Sequence, residues 1–285
     1  MYDKVVWFNP YGVGDVFESR EFVRECMKII PAKEYFYAHN KPPRMLIDID
    51  NLQYTPITDK MNVGISHTVE DNCLYISTWI GQKGLKYGCT VESIFEMNNE
   101  ILLELGFEPL KGIPLEYLTT IDYTKFQIQG VDAFVEKCTG DKILICNGDV
   151  LSGQAANFNF VQTINFLSLR YPQKTFILTN KFKTDLTNVF FTGDITKTTD
   201  GFDINEISYL STFCGVIAGR YSGPHTCSQV KQNWFDPNKR LVTFTYREPG
   251  CSFTHSKDVL MRQFWSNAIH PKLVADKISE AIESR

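Results

Sequence analysis

The chain has 285 residues, of which 43% are hydrophobic and 22% charged, a balance typical of a globular protein of about two domains. Its formal net charge of −4 argues against a nucleic-acid partner, because phosphate neutralisation needs clustered Lys and Arg. No apolar run approaches the roughly 18 residues of a transmembrane helix, and the first residues lack a signal-peptide layout, so we expect a cytoplasmic protein without a transmembrane segment.

The first half of the chain shows apolar runs that alternate with helical periodicity. These patterns predict strands at 4–8, 34–38, 45–47 and 73–80, and helices at 16–30 and 91–105. A composition shift follows, because residues 107–130 carry Pro and Gly with little periodicity. We interpret this stretch as the join between two domains.

The second half repeats the alternation more clearly. We predict strands at 143–146, 175–179, 189–191, 215–218 and 241–245, and helices at 157–170, 204–213, just after Pro224 and at 271–284. Short apolar strands between helices favour parallel sheets covered on both faces. The sequence therefore predicts an α/β protein of two Rossmann-like domains, 1–125 and 126–270, with a terminal helix in 271–285 that packs back on the first domain.

In such folds ligands bind where strands end, so the loop within 215–229 (GVIAGRYSGPHTCSQ) is a candidate site. The strand runs into Arg220, and Ser222-Gly223-Pro224 then begins a helix. The free amides of a helix start suit a pyrophosphate. The alternative is a well-capped turn with no ligand.

Residues 203–229 resemble the donor-binding motif of glycosyltransferase family 9, the heptosyltransferase-like enzymes. In that motif an acidic residue begins a helix, a strand follows the helix, and the strand leads into an Asp-Ser-Gly-Pro type loop with a histidine just beyond. The matching residues here are Asp203, Glu206, Ser222, Gly223, Pro224 and His225. Tyr221 stands where the family usually has Asp, and His225 comes one place early, which indicates a divergent member. Family 9 enzymes also begin with a strand and a loop ending Gly-Asp, which Gly14-Asp15 matches.

The resemblance implies the B-type glycosyltransferase fold, with a cleft between its domains, and a nucleotide-diphosphate sugar as donor substrate. The second domain would bind the donor through Ser222, Gly223, Pro224, His225, Glu206 and three strand-end residues, Arg220, Lys181 and Gly148. The first would bind a glycan or other hydroxyl acceptor, with Gly14, His67 and Trp79 as candidates beside Tyr75 and Tyr87. Asp15 would act as the catalytic base. No cofactor or metal is expected, and direct displacement would invert the anomeric configuration.

Other interpretations of these residues stay open. Asp15-Val16-Phe17-Glu18 and Asp203-Ile204-Asn205-Glu206 also have the spacing of helix capping boxes. Asp48-Ile49-Asp50 is a D-x-D motif of the kind that binds a divalent cation, although only 47 residues precede it, too few for a nucleotide-binding half. A sugar-nucleotide epimerase of the same fold, or a catalytically inactive nucleotide-sugar-binding protein, remains the alternative function. The eight cysteines show no metal-site spacing.

Overall fold

Two β-sheets, each built from the apolar runs of one half of the chain, organise the structure. A computed structural model describes residues 1–82, 90–151, 153–246 and 258–284. The chain divides into two compact units, Met1–Ile121 and Asp122–Arg285. That division falls inside the Pro- and Gly-bearing stretch 107–130. Within the described residues, no helix combines the length and the apolar character that crossing a bilayer requires.

The first unit contains a sheet of five strands: β1 (Tyr2–Asn9), β2 (Ala32–His39), β3 (Leu52–Thr55), β4 (His67–Glu70) and β5 (Cys73–Ser77). Their order is β3-β2-β1-β5-β4, and only the edge pair β4–β5 is antiparallel. The helices are α1 (Val13–Glu18), α2 (Arg20–Ile29) and α3 (Thr90–Glu104). The strand order thus reverses between β1 and β5, which are parallel, and such a switch point is the place where open α/β sheets bind ligands.

Two predictions for the first unit are wrong in detail. The expected strand at 45–47 is a 3₁₀ helix, Pro43–Leu46, because the prolines at 42 and 43 favour a turn and cannot join a central ladder. The expected helix 16–30 is divided into α1 and α2. The division falls at Ser19, whose hydroxyl donates to the Val16 carbonyl oxygen at 2.9 Å. Further 3₁₀ turns lie at Ile80–Gln82 and Pro114–Tyr117.

The second unit contains a sheet of six strands: β6 (Lys142–Cys146), β7 (Thr175–Leu178), β8 (Val189–Phe191), β9 (Val216–Arg220), β10 (Arg240–Phe244) and β11 (Arg262–Ser266). All described pairs are parallel, and the order is β11-β10-β9-β6-β7-β8. Counted from β6, this is the 3-2-1-4-5-6 order of a doubly wound dinucleotide-binding sheet. The switch point lies between β6 and β9.

Seven α-helices accompany this sheet in the described residues: α4 (Gln129–Lys137), α5 (Val161–Arg170), α6 (Thr192–Thr196), α7 (Ile204–Ser211), α8 (Gly223–Cys227), α9 (Lys231–Trp234) and α10 (Pro271–Glu283). A 3₁₀ turn lies at Tyr123–Lys125. The prediction that the terminal helix packs on the first domain is wrong. Its apolar face, including Val274 and Ile278, is part of the apolar core of the second unit.

Close contact between β6 and β9 depends on one glycine. A Cβ atom at Gly219 would lie 2.5 Å from the Cys146 carbonyl oxygen, closer than real Cβ atoms approach backbone. Gly219 therefore allows the two strands that border the switch point to lie side by side.

Candidate functional site

A cavity of about 390 Å³ lies at the switch point of the second sheet. Loops after β6, β7 and β9 form it, because the carboxyl ends of parallel strands meet at one edge. Its lining combines amide side chains, aromatic rings and two charged groups: Asn147, Asp149, Asn157, Phe158, Asn159, Phe160, Val161, Asn180, Phe182 and Arg220. We call it the Arg220 pocket. Six of these ten residues are polar or charged, so the pocket suits a ligand with several hydrogen-bonding groups.

Arg220 lies in this lining, but its hydrogen bonds are made within the protein. The side chain is 1% exposed. Its Nε donates to the Gly148 carbonyl oxygen at 2.8 Å, Nη1 donates to that of Phe158 at 2.6 Å, and Nη2 donates to that of Asn147. Nη2 also lies 3.0 Å from Asp149 Oδ1. The guanidinium therefore holds the pocket loops together, a different role from the predicted phosphate ligand.

The predicted helix start after Ser222 is present, but His225 does not have its predicted role. Ser222 precedes α8 in extended conformation, followed by part-exposed Gly223 and Pro224. The buried Ser222 hydroxyl has no hydrogen-bond partner among the described residues. His225, however, is 0% exposed and points into the core, where its Nε2 lies 3.2 Å from the Val242 carbonyl oxygen. Burial lowers the pKa of His225 to about 4, so its side chain is a neutral core group rather than a donor ligand.

The other predicted donor-side residues are distributed around the second unit. Gly148 lies in the loop that Arg220 binds, at the edge of the Arg220 pocket. Lys181 is exposed, outside the pocket lining, and pairs with Asp194 at 2.9 Å. Glu206 is fully buried on α7 and accepts the Gln127 backbone N–H at 3.1 Å. Its predicted contact with a donor is therefore not available in this conformation.

In the first unit, Asp15 lies close to the switch point of its sheet. It is part-buried in α1, and the side chain of Asn9, the last residue of β1, acts to lower the pKa of its carboxyl group. The residue before α1 is Gly12, so Asp15 is not the helix cap that its D-x-x-E spacing suggests. Gly14, part-exposed, precedes it within the helix. Asp203 does precede α7, but no side-chain capping bond is present there.

Two carboxyl groups one helical turn apart, those of Asp15 and Glu18, have pKa values above their ordinary ones. Burial raises the pKa of Asp15 to about 6, and the nearby Asn9 side chain partly opposes the rise. Burial raises the pKa of Glu18 well above its ordinary value, with the neighbouring Asp15 charge adding to the effect and a Thr90 hydrogen bond opposing it. Asp15 consequently ionises near neutral pH, as a general base must, while Glu18 keeps its proton longer.

We expect Glu18→Gln to stabilise the protein at neutral and higher pH. In the unfolded chain Glu18 loses its proton above its ordinary pKa of 4.5, whereas the folded protein retains it, so folding loses about 1.4 kcal/mol per pH unit in that interval. The variant lacks this loss. Urea unfolding of wild type and variant at pH 4 and pH 8 tests this prediction. We expect the two proteins to have similar stabilities at pH 4 and the variant to be more stable at pH 8. A variant less stable than wild type at pH 8 would contradict the assignment.

Two aromatic rings are in contact between the loop before α1 and the segment after β5. Tyr11 is 48% exposed, and its ring centroid is 4.8 Å from that of Trp79, which is half-buried and lies two residues beyond β5. His67 is separate from this pair: on edge strand β4, its Nδ1 lies 3.2 Å from Ser66 Oγ and 3.5 Å from Glu104 Oε2. Tyr87 lies outside the described residues. The acceptor-side role of Trp79 stays a prediction, and its ring partner Tyr11 is a residue that the sequence did not indicate.

The D-x-D motif is part of a buried ion-pair network. Asp48 is buried and pairs with Arg20, and its other oxygen lies 2.7 Å from Arg24 Nη2. Asp50 is exposed. Across the described residues, no group of three or more His, Cys, Asp and Glu side chains is arranged to hold a metal ion. Asp48 thus has a structural role in the first unit.

Sequence reasoning missed most of the Arg220 pocket. Its amide residues include Asn147, which directly follows β6, and Asn180, which lies two residues beyond the end of β7. The two are hydrogen-bonded, because Asn147 Oδ1 accepts the Asn180 backbone N–H at 2.7 Å. A signal was present, because each asparagine stands immediately beyond a buried strand or one residue later. Asn157 and Asn159 carry no comparable signal, since they precede a helix and reach the pocket only through the folded loop.

Comparisons with known proteins agree with this architecture. No protein-family model matches the sequence, and no curated protein matches it significantly. Among solved structures, the glycosyl transferase family 9 from Veillonella parvula DSM 2008 has a TM-score of 0.60 at 10% identity, with 99% of this chain and 96% of the other covered. The E. coli heptosyltransferase WaaC with ADP-2-deoxy-2-fluoro heptose has a TM-score of 0.55 at 9% identity, covering 98% and 99%. The predicted fold, the B-type glycosyltransferase fold of two Rossmann-like domains, is confirmed.

Proposed function

We propose that this protein is a glycosyltransferase that moves a sugar from a nucleotide-diphosphate donor to the hydroxyl of a glycan or another acceptor. The observation that carries the proposal is the Arg220 pocket at the switch point of a 3-2-1-4-5-6 sheet. This is the position at which such sheets bind nucleotides. The likeness in fold to WaaC, whose solved complex contains an ADP-sugar, supports the same donor class for this chain.

The second unit would hold the donor. The Ser222 hydroxyl, buried without a partner in the described structure, and the backbone N–H of Gly223 suit the diphosphate oxygens. The Arg220 pocket would take a further part of the donor between its amide groups and phenylalanine rings. Arg220 contributes by fixing the carbonyl groups of the surrounding loops.

The first unit would supply the base and bind the acceptor. The acceptor hydroxyl attacks the anomeric carbon, its proton passes to the Asp15 carboxylate, and the bond from that carbon to the diphosphate oxygen breaks. The products are the new glycoside and a nucleoside diphosphate. We infer a single displacement, which inverts the anomeric configuration, and a reaction without a bound metal, because Asp48 of the D-x-D motif is engaged by two arginines.

A thermal-shift screen tests the donor class. UDP-, GDP- and ADP-sugars are compared with a CMP-sugar, each with and without Mg²⁺. We expect at least one diphosphate sugar to raise the unfolding temperature equally with and without Mg²⁺, because ligands that bind the folded state stabilise it by mass action. Stabilisation only in the presence of Mg²⁺ would contradict metal independence, and no stabilisation by any diphosphate sugar would contradict the donor class.

A matched pair of variants then tests the pocket. Asn180→Ala removes an amide from the pocket lining, and we expect donor affinity to fall about tenfold, the value of about one polar contact. Lys181→Ala changes the adjacent residue, which lies outside the lining and pairs with Asp194, and should leave the affinity nearly unchanged. Calorimetric titration with the donor found in the screen measures both. The opposite ranking would place the donor against Lys181 instead.

A further inference from the structure

Asp149 is the acidic side chain in the lining of the Arg220 pocket. It lies three residues beyond the end of β6, and its side chain is 71% exposed. Its Oδ1 lies 3.0 Å from Nη2 of the buried Arg220. Within the described part of the chain, no other charged side chain pairs with Asp149. A buried cation therefore holds this carboxylate in place, while a ligand in the pocket can still reach it.

The charge of the lining argues against a diphosphate in this pocket. Among the ten described residues that line it, Arg220 is the one cation. Its charge is already paired with Asp149, and its other donors are bonded to carbonyl oxygens of the pocket loops. A diphosphate is held best by cations or N–H groups that are free to donate to it. The pocket therefore suits an uncharged part of the donor.

Asn180 adds a group that can both donate and accept close to the Asp149 loop. Its backbone N–H and carbonyl oxygen are bonded to the Asn147 side chain, whereas its own side-chain amide makes no hydrogen bond with another described residue. A Cβ atom at Gly148, the residue before Asp149, would lie 3.2 Å from Asn180 Oδ1, so the amide lies against this loop. A carboxylate only accepts hydrogen bonds, and an amide both donates and accepts. Hydroxyl groups also do both, so they match this pair of side chains.

We propose that Asp149, assisted by Asn180, binds hydroxyl groups of the donor, either those of its ribose or those of the transferred sugar. The inference rests on the proposed nucleotide-sugar donor and adds where its neutral groups bind. An acidic side chain that bonds a ribose hydroxyl is a recurrent feature of nucleotide sites on doubly wound sheets. Glu206, the acid expected at the donor, is buried on α7 and bonded to Gln127. Asp149 is instead the acid that lines the pocket.

Calorimetric titration of wild type and Asp149→Asn tests the inference. The ligands are ADP, GDP and UDP, their 2′,3′-dideoxy analogues, and ADP-, GDP- and UDP-glucose. The variant keeps an oxygen that can accept from Arg220, but it loses the charge and one acceptor. We expect its affinity for a ligand whose hydroxyl groups reach Asp149 to fall about tenfold or more, the value of a hydrogen bond to a charged group. Asp185→Asn is the control with the same change of charge and should bind every ligand like wild type, because Asp185 is exposed and outside the lining.

The three sets of ligands identify the source of the hydroxyl groups. A loss of affinity that appears with a nucleoside diphosphate but not with its dideoxy analogue assigns Asp149 to the ribose, and a loss seen only with the nucleotide-glucose assigns it to the transferred sugar. Affinities within about twofold of wild type for every ligand would overturn the inference and leave the proposed donor class intact. An equal loss for all three forms of one nucleotide would also overturn it, because hydroxyl groups would then not be involved. If wild type binds none of the ligands, the donor class fails and this inference fails with it.

Discussion

Replacing Asp15 with Asn is expected to abolish sugar transfer while it stabilises the folded protein. The amide cannot accept the proton of the attacking hydroxyl, which removes general-base catalysis, worth about 10²–10⁴-fold. The raised pKa of the carboxyl, about 6 against an ordinary value of 3.8, means that ionised Asp15 costs about 3 kcal/mol of folding free energy at pH 7. The variant lacks that cost, so its stability should exceed that of wild type at pH 7 and match it below pH 3.8.

The experiment combines a transfer assay with urea unfolding at pH 3.5 and pH 7. Asp50→Asn is the control, because Asp50 is exposed and belongs to the D-x-D motif. We expect it to retain full transfer. Loss of activity in Asp50→Asn with normal activity in Asp15→Asn would revive the metal-binding alternative and refute the base assignment. A catalytic carboxylate that lowers stability is a common compromise at active sites.

Replacing Arg220 with Met is expected to have the largest effect on stability in the second unit. The change leaves the carbonyl groups of Asn147, Gly148 and Phe158 without their donor and Asp149 without its partner. Removing one partner of a buried charged network costs about 3–5 kcal/mol. The loops of the Arg220 pocket should lose their fixed geometry, and donor binding should be lost with them.

Urea unfolding and donor titration together distinguish the two possible roles of Arg220. Arg170→Met is the control, because Arg170 is half-exposed on α5 and its pairing with Glu283 should contribute less than about 1 kcal/mol. A large loss of stability in Arg220→Met is expected from a residue that holds the loops. Unchanged stability with lost donor binding would instead show that Arg220 is a direct phosphate ligand.

Much of the fold could be predicted because it depends on local patterns. Short apolar runs such as Val5 to Phe8 and Ile143 to Cys146 favour central strands, and the helical periodicity between such runs favours parallel sheets. The errors arose where local patterns were short. Residues 45–47 are apolar but follow two prolines, and the apolar face of the terminal helix does not itself specify which unit it packs on.

The sequence predicted where the candidate site residues lie along the chain, but not what their side chains contact. The sequence by itself determined that Asp15 follows the first strand and that Ser222 and Gly223 follow a strand of the second sheet, since chain order places loops at strand ends. Tertiary structure decided what each side chain does there. His225 points into the core, Arg220 binds carbonyl groups of residues 62 to 73 positions away, and Asp48 pairs with two arginines. The physical reason is that burial and hydrogen-bond partners depend on distant segments, which no local pattern specifies.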